Sequence, residues 1–334
     1  MSAAIPIPAS KRGVPEKDDG GFGFGLSPYS SSASSFSSLL ISPPAEQQPQ
    51  IHISDLRTVT LLSDPVQCKY SRVWKGEWQG REMALKIPSR SLVGGSVDAE
   101  REARMLLRVG RHPHIVRFFG LARDDRPSAK VKMILVLELI NGFCLSDVDE
   151  NTQHSPATRI QWMYEIAKAL DHIHSRGIIH NDIKLENIMV EQSSSRAVLL
   201  DFGFADQIGS SFKAGSPVYA SPEKLSGSGP ISTKVDVYAW AVSTWQILEL
   251  RQPYDWVDSI EQLIDSLSHG ERPRFEDQWC RPLRRLLQQC WDTLPSKRPN
   301  MSDVVAQLGP IAQRMREEEG LTRHPPAYLE DDPQ

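Results

Sequence analysis

Two short polar segments, each entered from an apolar run, most constrain what this chain can fold into. Gly177-Ile178-Ile179 leads into His180-Asn181-Asp182-Ile183-Lys184-Leu185-Glu186-Asn187, and Ala197-Val198-Leu199-Leu200 runs into Asp201-Phe202-Gly203. Short apolar runs that stop at polar residues read as strands ending in tight loops. Asp182 and Asp201, nineteen residues apart, are therefore expected at strand ends with both carboxylates facing one cleft. The rest of the chain divides into two halves. Leu56 to Ile87 reads as short strands, followed by a helix around Asp98 to Leu107 and by Lys132 to Glu138, an apolar run too short for a long helix. After a break at Asn141-Gly142, Ile160, Met163, Ala167, Leu170 and Ile173 recur at helical spacing, and Val235 to Leu250 is apolar nearly all round, as a buried central helix would be.

These residue types suit phosphoryl transfer. That chemistry needs an oriented hydroxyl, metal ions bridging phosphate oxygens, and cations where charge accumulates. In this reading Asp182 accepts the hydrogen of the attacking hydroxyl and Lys184 reaches the transferring phosphate. Asn187 and Asp201 offer hard oxygen ligands to magnesium. Asp182, Asn187 and Asp201 together are expected to repel or go unsatisfied without a cation.

The same two strings resemble the catalytic-loop and metal-loop signatures of the eukaryotic protein kinase family, H-R-D-x-K-x-x-N and D-F-G. Other resemblances follow in the family's order. Met83-Ala84-Leu85-Lys86 resembles the strand that carries the phosphate-gripping lysine, and Asp98 to Leu107 resembles the helix whose glutamate holds it. Glu102 is aligned with that glutamate, in preference to Glu100, because Leu106 four residues later then packs inward on the same face. Gly215 to Glu223 resembles the end of an activation segment, with Ser221 where the family has alanine. Asp236 resembles the buried helix aspartate, and Arg298 the arginine that pairs with Glu223.

The series spans roughly residues 57 to 314. It implies a bilobal α+β kinase fold: a small antiparallel-sheet N-lobe with one key helix over about 57–138, and a mainly helical C-lobe over about 142–314. ATP and Mg2+ are implied as cofactors. Lys86 would grip the phosphates, and adenine would lie against the backbone of Glu138 and Ile140, with Leu137 behind it. Val73 and Ala84 would lie above the base, Val66 at the phosphate-covering loop and Met189 below. Each apolar residue of this set also reads as ordinary core, and Lys86 with Glu102 as an ordinary ion pair. The implied acceptor is a serine or threonine of a protein substrate, since Lys184 matches that class and the Ser216 hydroxyl can bridge Asp182 and Lys184. Cys290-Trp291 and Arg298-Pro299 resemble the tyrosine-kinase-like branch.

The chain departs from the family pattern twice. The phosphate-covering loop has Val66, Cys68 and Ser71 at its three glycine positions. Glycine serves there because backbone must approach phosphate closely, so a stiffer or more distant loop is expected. This supports the alternative of a pseudokinase, a nucleotide-binding or scaffolding module, beside the kinase reading. Asn181 stands where many members have arginine, and it cannot make the bidentate contact that reads a phosphorylated activation segment. Ser210 and Ser211 then read as solvated loop serines.

Composition bounds the rest. A net charge of −4 and a pI near 6.2 offer no basic field for nucleic acid. Cys68, Cys144, Cys280 and Cys290 lack metal-ligand spacing, which suits reduced thiols in an intracellular protein, cytoplasmic or nuclear. No run reaches the roughly 18 apolar residues of a membrane span. Residues 1–50, rich in glycine, proline and serine, and residues 317–334, with Glu317-Glu318-Glu319 and Pro325-Pro326, are expected as disordered tails. The sequence leaves regulatory partners open.

Overall fold

The computed structural model describes residues 53–55, 59–61, 66–68, 71–78, 80–88, 97–123, 133–152, 154–210, 216–227, 230–276 and 278–320. The tail expected over 1–50 lies outside these residues, as do Ser211 and the chain beyond 320.

The first half is a seven-stranded sheet. Its strands are β1 (Ile53–Asp55), β2 (Val59–Leu61), β3 (Val66–Cys68), β4 (Ser71–Trp78), β5 (Arg81–Pro88), β6 (Phe118–Arg123) and β7 (Met133–Glu138). They lie in the order β1-β6-β7-β5-β4-β2, with β3 also on β4. Pairing is antiparallel throughout except for β1, which runs parallel to β6. The sheet thus begins at Ile53, four residues before the expected boundary at 57.

Strand alternation assigns the two faces. Met83 and Leu85 of β5 pack with Ala122 and Val136 in a small cluster on one side. Ala84 and Lys86 point the other way, opposite Leu137 and Leu135 of β7. That second face is covered by α1 (Val97–Val109), whose Ala99, Ala103 and Leu106 join Leu121 and Leu135 in the main core.

The second half is mainly helical. After β8 (Gly142–Cys144) comes α2 (Pro156–Ser175), started by proline at its first position and by Ser155, whose hydroxyl accepts from the Thr158 N–H. Small strand pairs follow: β9 (Ile178–Ile179) with β12 (Asp206–Gln207), and β10 (Ile188–Glu191) with β11 (Ala197–Leu199) and β8. Gly142 is needed where β8 meets β10, because a Cβ there would run into the Val190 carbonyl. The remaining helices are α3 (Pro222–Leu225), α4 (Lys234–Glu249), α5 (Ile260–Ser268), α6 (Arg281–Cys290) and α7 (Met301–Glu318).

Helix α4 is the buried central helix that its apolar composition implies, with every residue from Val235 to Glu249 buried. Its polar Ser243 and Thr244 survive burial by donating to the carbonyls of Ala239 and Trp240, at 2.8 and 2.7 Å. Helix α7 opens with a reciprocal cap between Asn300 and Asp303 and runs to Glu318. Residues 317 and 318, expected in the tail, are therefore helical.

Candidate active site

The geometry starts at Asp236, which is fully buried near the start of α4. Its carboxylate accepts from the backbone N–H of His180 and of Asn181, both at 2.8 Å, and from His174 Nε2 at 2.9 Å. Burial alone would raise its pKa, but these donors hold it below the ordinary carboxylate value. The same contacts fix the loop after β9. Asn181 adopts a left-handed φ of 67°, a conformation asparagine tolerates better than most residues. Lys224 closes the arrangement by donating to the Asn181 carbonyl at 2.5 Å. Burial pushes the Lys224 ammonium down.

This anchoring presents Asp182, which is 5% exposed. Lys184 Nζ lies 2.8 Å from Asp182 Oδ2 and 2.9 Å from the Ser216 hydroxyl. Ser216 meets Asp182 through its backbone N–H, at 3.3 Å, so the hydroxyl serves Lys184 and the main chain serves the aspartate. Asn187 donates its side-chain amide to Asp182 O and Oδ2, at 2.7 and 3.1 Å. Its Oδ1 is thereby left as the oxygen available to a cation.

Asp201 follows β11 with a left-handed φ of 55°. Lys86 Nζ sits 2.7 Å from Asp201 Oδ1 and 2.7 Å from Glu102 Oε1. Glu102, not Glu100, is the partner in the structure. Burial would depress the lysine, but the two carboxylates more than offset this and hold its pKa above the ordinary range. Burial raises the Asp201 carboxyl and Lys86 more than offsets it, so Asp201 lies below its usual value. Glu102 lies above, raised by burial with only partial relief from Lys86. Of the two carboxylates, Asp201 is the more firmly ionised.

Glu102 also accepts the Phe202 N–H at 3.2 Å, and Arg101 on the same helix donates to the Ala205 carbonyl at 2.8 Å. Helix α1 therefore grips the segment after Asp201 at two points. His180, kept neutral by burial, meets the Leu200 carbonyl through Nε2 at 2.8 Å and packs edge-on against Phe202. Asp182, Asn187 and Asp201 are thus all partnered by protein groups, contrary to the expectation that they would go unsatisfied without a cation.

The adenine-side residues are placed as follows. Val73 pairs with both Val66 and Lys86, and Ala84 pairs with Leu137, in one cross-strand register. Met189 on β10 is half-buried between Cys144 and Val198. Glu138 is more occupied than its sequence context suggests. Its N–H donates to Arg117 O at 2.8 Å, and its carboxylate accepts from the Arg117 N–H at 3.2 Å and from Arg196 at 2.6 Å. Ile140 is buried, yet among the described residues no hydrogen bond uses its N–H. That leaves the Ile140 N–H as a donor that a ligand could meet. Val66, Cys68 and Ser71 lie in regularly paired strand, with Cys68 opposite Ser71.

At the far end of the segment, Arg298 makes a two-pronged contact with Glu223, at 2.7 and 2.8 Å, and its remaining donors reach carbonyls of Asp292, Thr293 and Lys234. Residues 67–308, more than half the chain, match the family described as the protein kinase domain. The chain belongs to the protein kinase family.

Curated relatives of this kinase domain agree with that assignment. It is 28% identical to a probable LIM domain-containing serine/threonine-protein kinase of Dictyostelium discoideum, over 73% of this chain and 38% of that protein. It is 29% identical to a dual specificity protein kinase of the same organism, over 73% of this chain and 34% of the relative. It is 26% identical to mitogen-activated protein kinase kinase kinase 7 of Drosophila melanogaster, over 78% of this chain and 38% of the relative. The chain therefore spans well under half the length of these relatives.

Reasoning from sequence missed His174, Lys224, Arg101 and Arg196, the residues that brace the site from outside its signatures. Among the described residues, Asn181 Oδ1 and the Ser210 hydroxyl are buried without a hydrogen-bond partner, so Ser210 is not the solvated serine expected. Cys144, Cys280 and Cys290 are free thiols. No described helix is long and apolar enough to cross a membrane.

Proposed function

We propose that this domain is an active kinase transferring the γ-phosphoryl group of ATP to serine or threonine hydroxyls of a protein. The observation that carries this reading is Lys86 held between Glu102 and Asp201, at 2.7 Å from each, while Asp182, Lys184 and Ser216 are already assembled. These short distances support a site assembled before substrate binds.

Each residue has a part. Lys86 places positive charge at the ATP phosphates. Asp182 orients the acceptor hydroxyl and takes its proton, while Lys184 stabilises charge on the transferring oxygens. The Ile140 N–H receives the base, between Val73 and Ala84 on one side and Met189 on the other.

The donor set fits magnesium. Among the described residues no group of three or more histidine, cysteine or acidic side chains could hold a metal. Asn187 Oδ1 and Asp201 supply two hard oxygens, and magnesium characteristically takes its other ligands from phosphate and water. When bound, the ion neutralises charge on the phosphate oxygens.

Asn181 supports activity that is independent of loop phosphorylation. It offers a neutral side chain with an unpaired acceptor oxygen, which repels phosphate instead of gripping it. Alanine at both Ser210 and Ser211 is expected to leave turnover unchanged, and loss of turnover would contradict this.

A second reading rests on the regular β3–β4 pairing through the three glycine positions, which stiffens the phosphate cover. Under it the domain is a pseudokinase that binds nucleotide as a scaffold. Turnover with magnesium and ATP on peptides offering serine, threonine or tyrosine separates the two. Transfer to serine and threonine supports the kinase, and nucleotide binding without any transfer supports the scaffold.

A further inference from the structure

A cleft of 860 Å³ opens between the segment that follows α5 and helix α6, on elements that contribute none of the active-site residues. Five arginines line it: Arg272, Arg274, Arg281, Arg284 and Arg285. Phe275 and Trp291 back it as a stacked pair with ring centres 5.3 Å apart.

Local sequence explains its construction. In α6, Leu283, Leu286, Leu287 and Cys290 are buried, which leaves Arg281, Arg284, Arg285 and Gln288 at helical spacing along the cleft side. The first turn of α6 has no acidic residue and Cys280 provides no side-chain cap, so the positive end of the helix adds to the arginine field. Arg272 has a structural task. It donates to the Trp291 carbonyl at 2.9 Å and to the Thr293 hydroxyl at 3.0 Å. Arg274, Arg281 and Arg285 are exposed and have neither an ion pair nor a side-chain hydrogen bond among the described residues.

Gathering like charges on one cleft costs free energy unless something anionic binds there. The chain as a whole carries −4, a balance that argues against the basic character that nucleic acid or a membrane surface requires. Guanidinium forks match phosphate and carboxylate oxygens in pairs. Arg281 and Arg285, four apart on one helix, stand about 5 to 6 Å apart at Cβ, with Arg274 contributed by the opposing segment.

We propose that this arginine cleft docks a phosphorylated, acidic segment of a protein partner. Arg281, Arg285 and Arg274 hold the phosphate and its acidic neighbours. The docking is a binding event separate from phosphoryl transfer and does not rest on this domain being catalytically active.

The test measures fluorescence anisotropy on the full chain, with a labelled peptide carrying one phosphoserine among glutamates and with its unphosphorylated twin. The phosphopeptide is expected to bind about tenfold or more tightly than the twin. The double variant Arg281→Gln/Arg285→Gln should reduce it to the level of the twin, with the melting temperature and any transfer to a generic peptide unchanged. If the double variant melts lower, Arg274→Gln serves instead and is expected to weaken the phosphopeptide selectively. Equal binding of the two peptides, or binding untouched by these variants, overturns the proposal. So does tighter binding of phosphatidylserine vesicles or duplex DNA than of the phosphopeptide.

Discussion

The active cleft and the arginine cleft treat charge in opposite ways. In the first, Lys86 sits between Glu102 and Asp201, Lys184 is on Asp182, and Asp236 is surrounded by donors. In the second, Arg274, Arg281 and Arg285 stand exposed with no such partners among the described residues. Removing a charge from water costs several kcal/mol, so a buried one must be paired, and the pairing then dictates geometry. An exposed arginine carries no such obligation. The contrast separates a site whose charged groups hold one another in place from one whose charged groups stand open to solvent.

The largest effect on stability should come from breaking the first arrangement. Lys86→Met leaves two carboxylates in a buried site, and a loss of about 3–5 kcal/mol is expected by chemical denaturation. In the variant the Glu102 carboxyl is raised further, so buried charge disappears as pH falls through its folded pKa. The deficit relative to wild type should narrow toward acid. A deficit independent of pH would mean that the lysine acts through packing alone.

A smaller, graded effect is expected behind α1. His112 lies against His172, with ring centres 4.6 Å apart and planes tilted by 36°, and lies 5.6 Å from His114. Burial, with His172, His114, Lys168 and Arg176 nearby, pulls His112 down to about 3, and burial takes His114 down to about 4. Unfolded histidine titrates near 6.5. As pH falls below that value the unfolded chain takes up protons that the folded one refuses, so stability is full above about 6.5 and declines toward 4. His112→Asn keeps an acceptor for the His114 N–H, now served by His112 Nδ1 at 3.2 Å, and should make the decline shallower. An unchanged slope would remove His112 from the account.

The smallest effect sharpens the comparison from the other side. Arg281→Gln with Arg285→Gln should change folding stability by no more than about 0.5 kcal/mol, because neither side chain has an ion pair or side-chain hydrogen bond among the described residues. A larger loss would show that the arginine cleft is structural like the first site.

Much of the active site was legible because kinase chemistry uses particular residue types at short spacing. The Asp182 to Asn187 string folds as one loop, and Met83 to Lys86 lies in the strand that the resemblance implied. Glu102 was legible through Leu106, which is 4% exposed and packs inward as required. The bracing residues were not. His174 meets Asp236 across 62 residues, and Lys224 meets Asn181 across 43, and no local period records such a meeting. The C-terminal glutamates misled for a related reason. They look solvated, yet Val304, Leu308 and Ala312 bury one face of α7. Gln313 bonds Glu317 at 2.8 Å, and Glu319 accepts the Ala157 N–H at 3.1 Å, so the helix continues past the expected end.

The central claim is that the preassembled cleft performs transfer despite Val66, Cys68 and Ser71. The most direct measurement compares magnesium-dependent ATP turnover of wild type and Asp182→Asn on a serine/threonine peptide mixture, with nucleotide binding followed in the same samples. The account predicts measurable transfer in wild type, a fall of about 10²- to 10⁴-fold in the variant, and nucleotide binding retained in both. Nucleotide binding with no transfer by either protein would contradict it and leave the domain a scaffold.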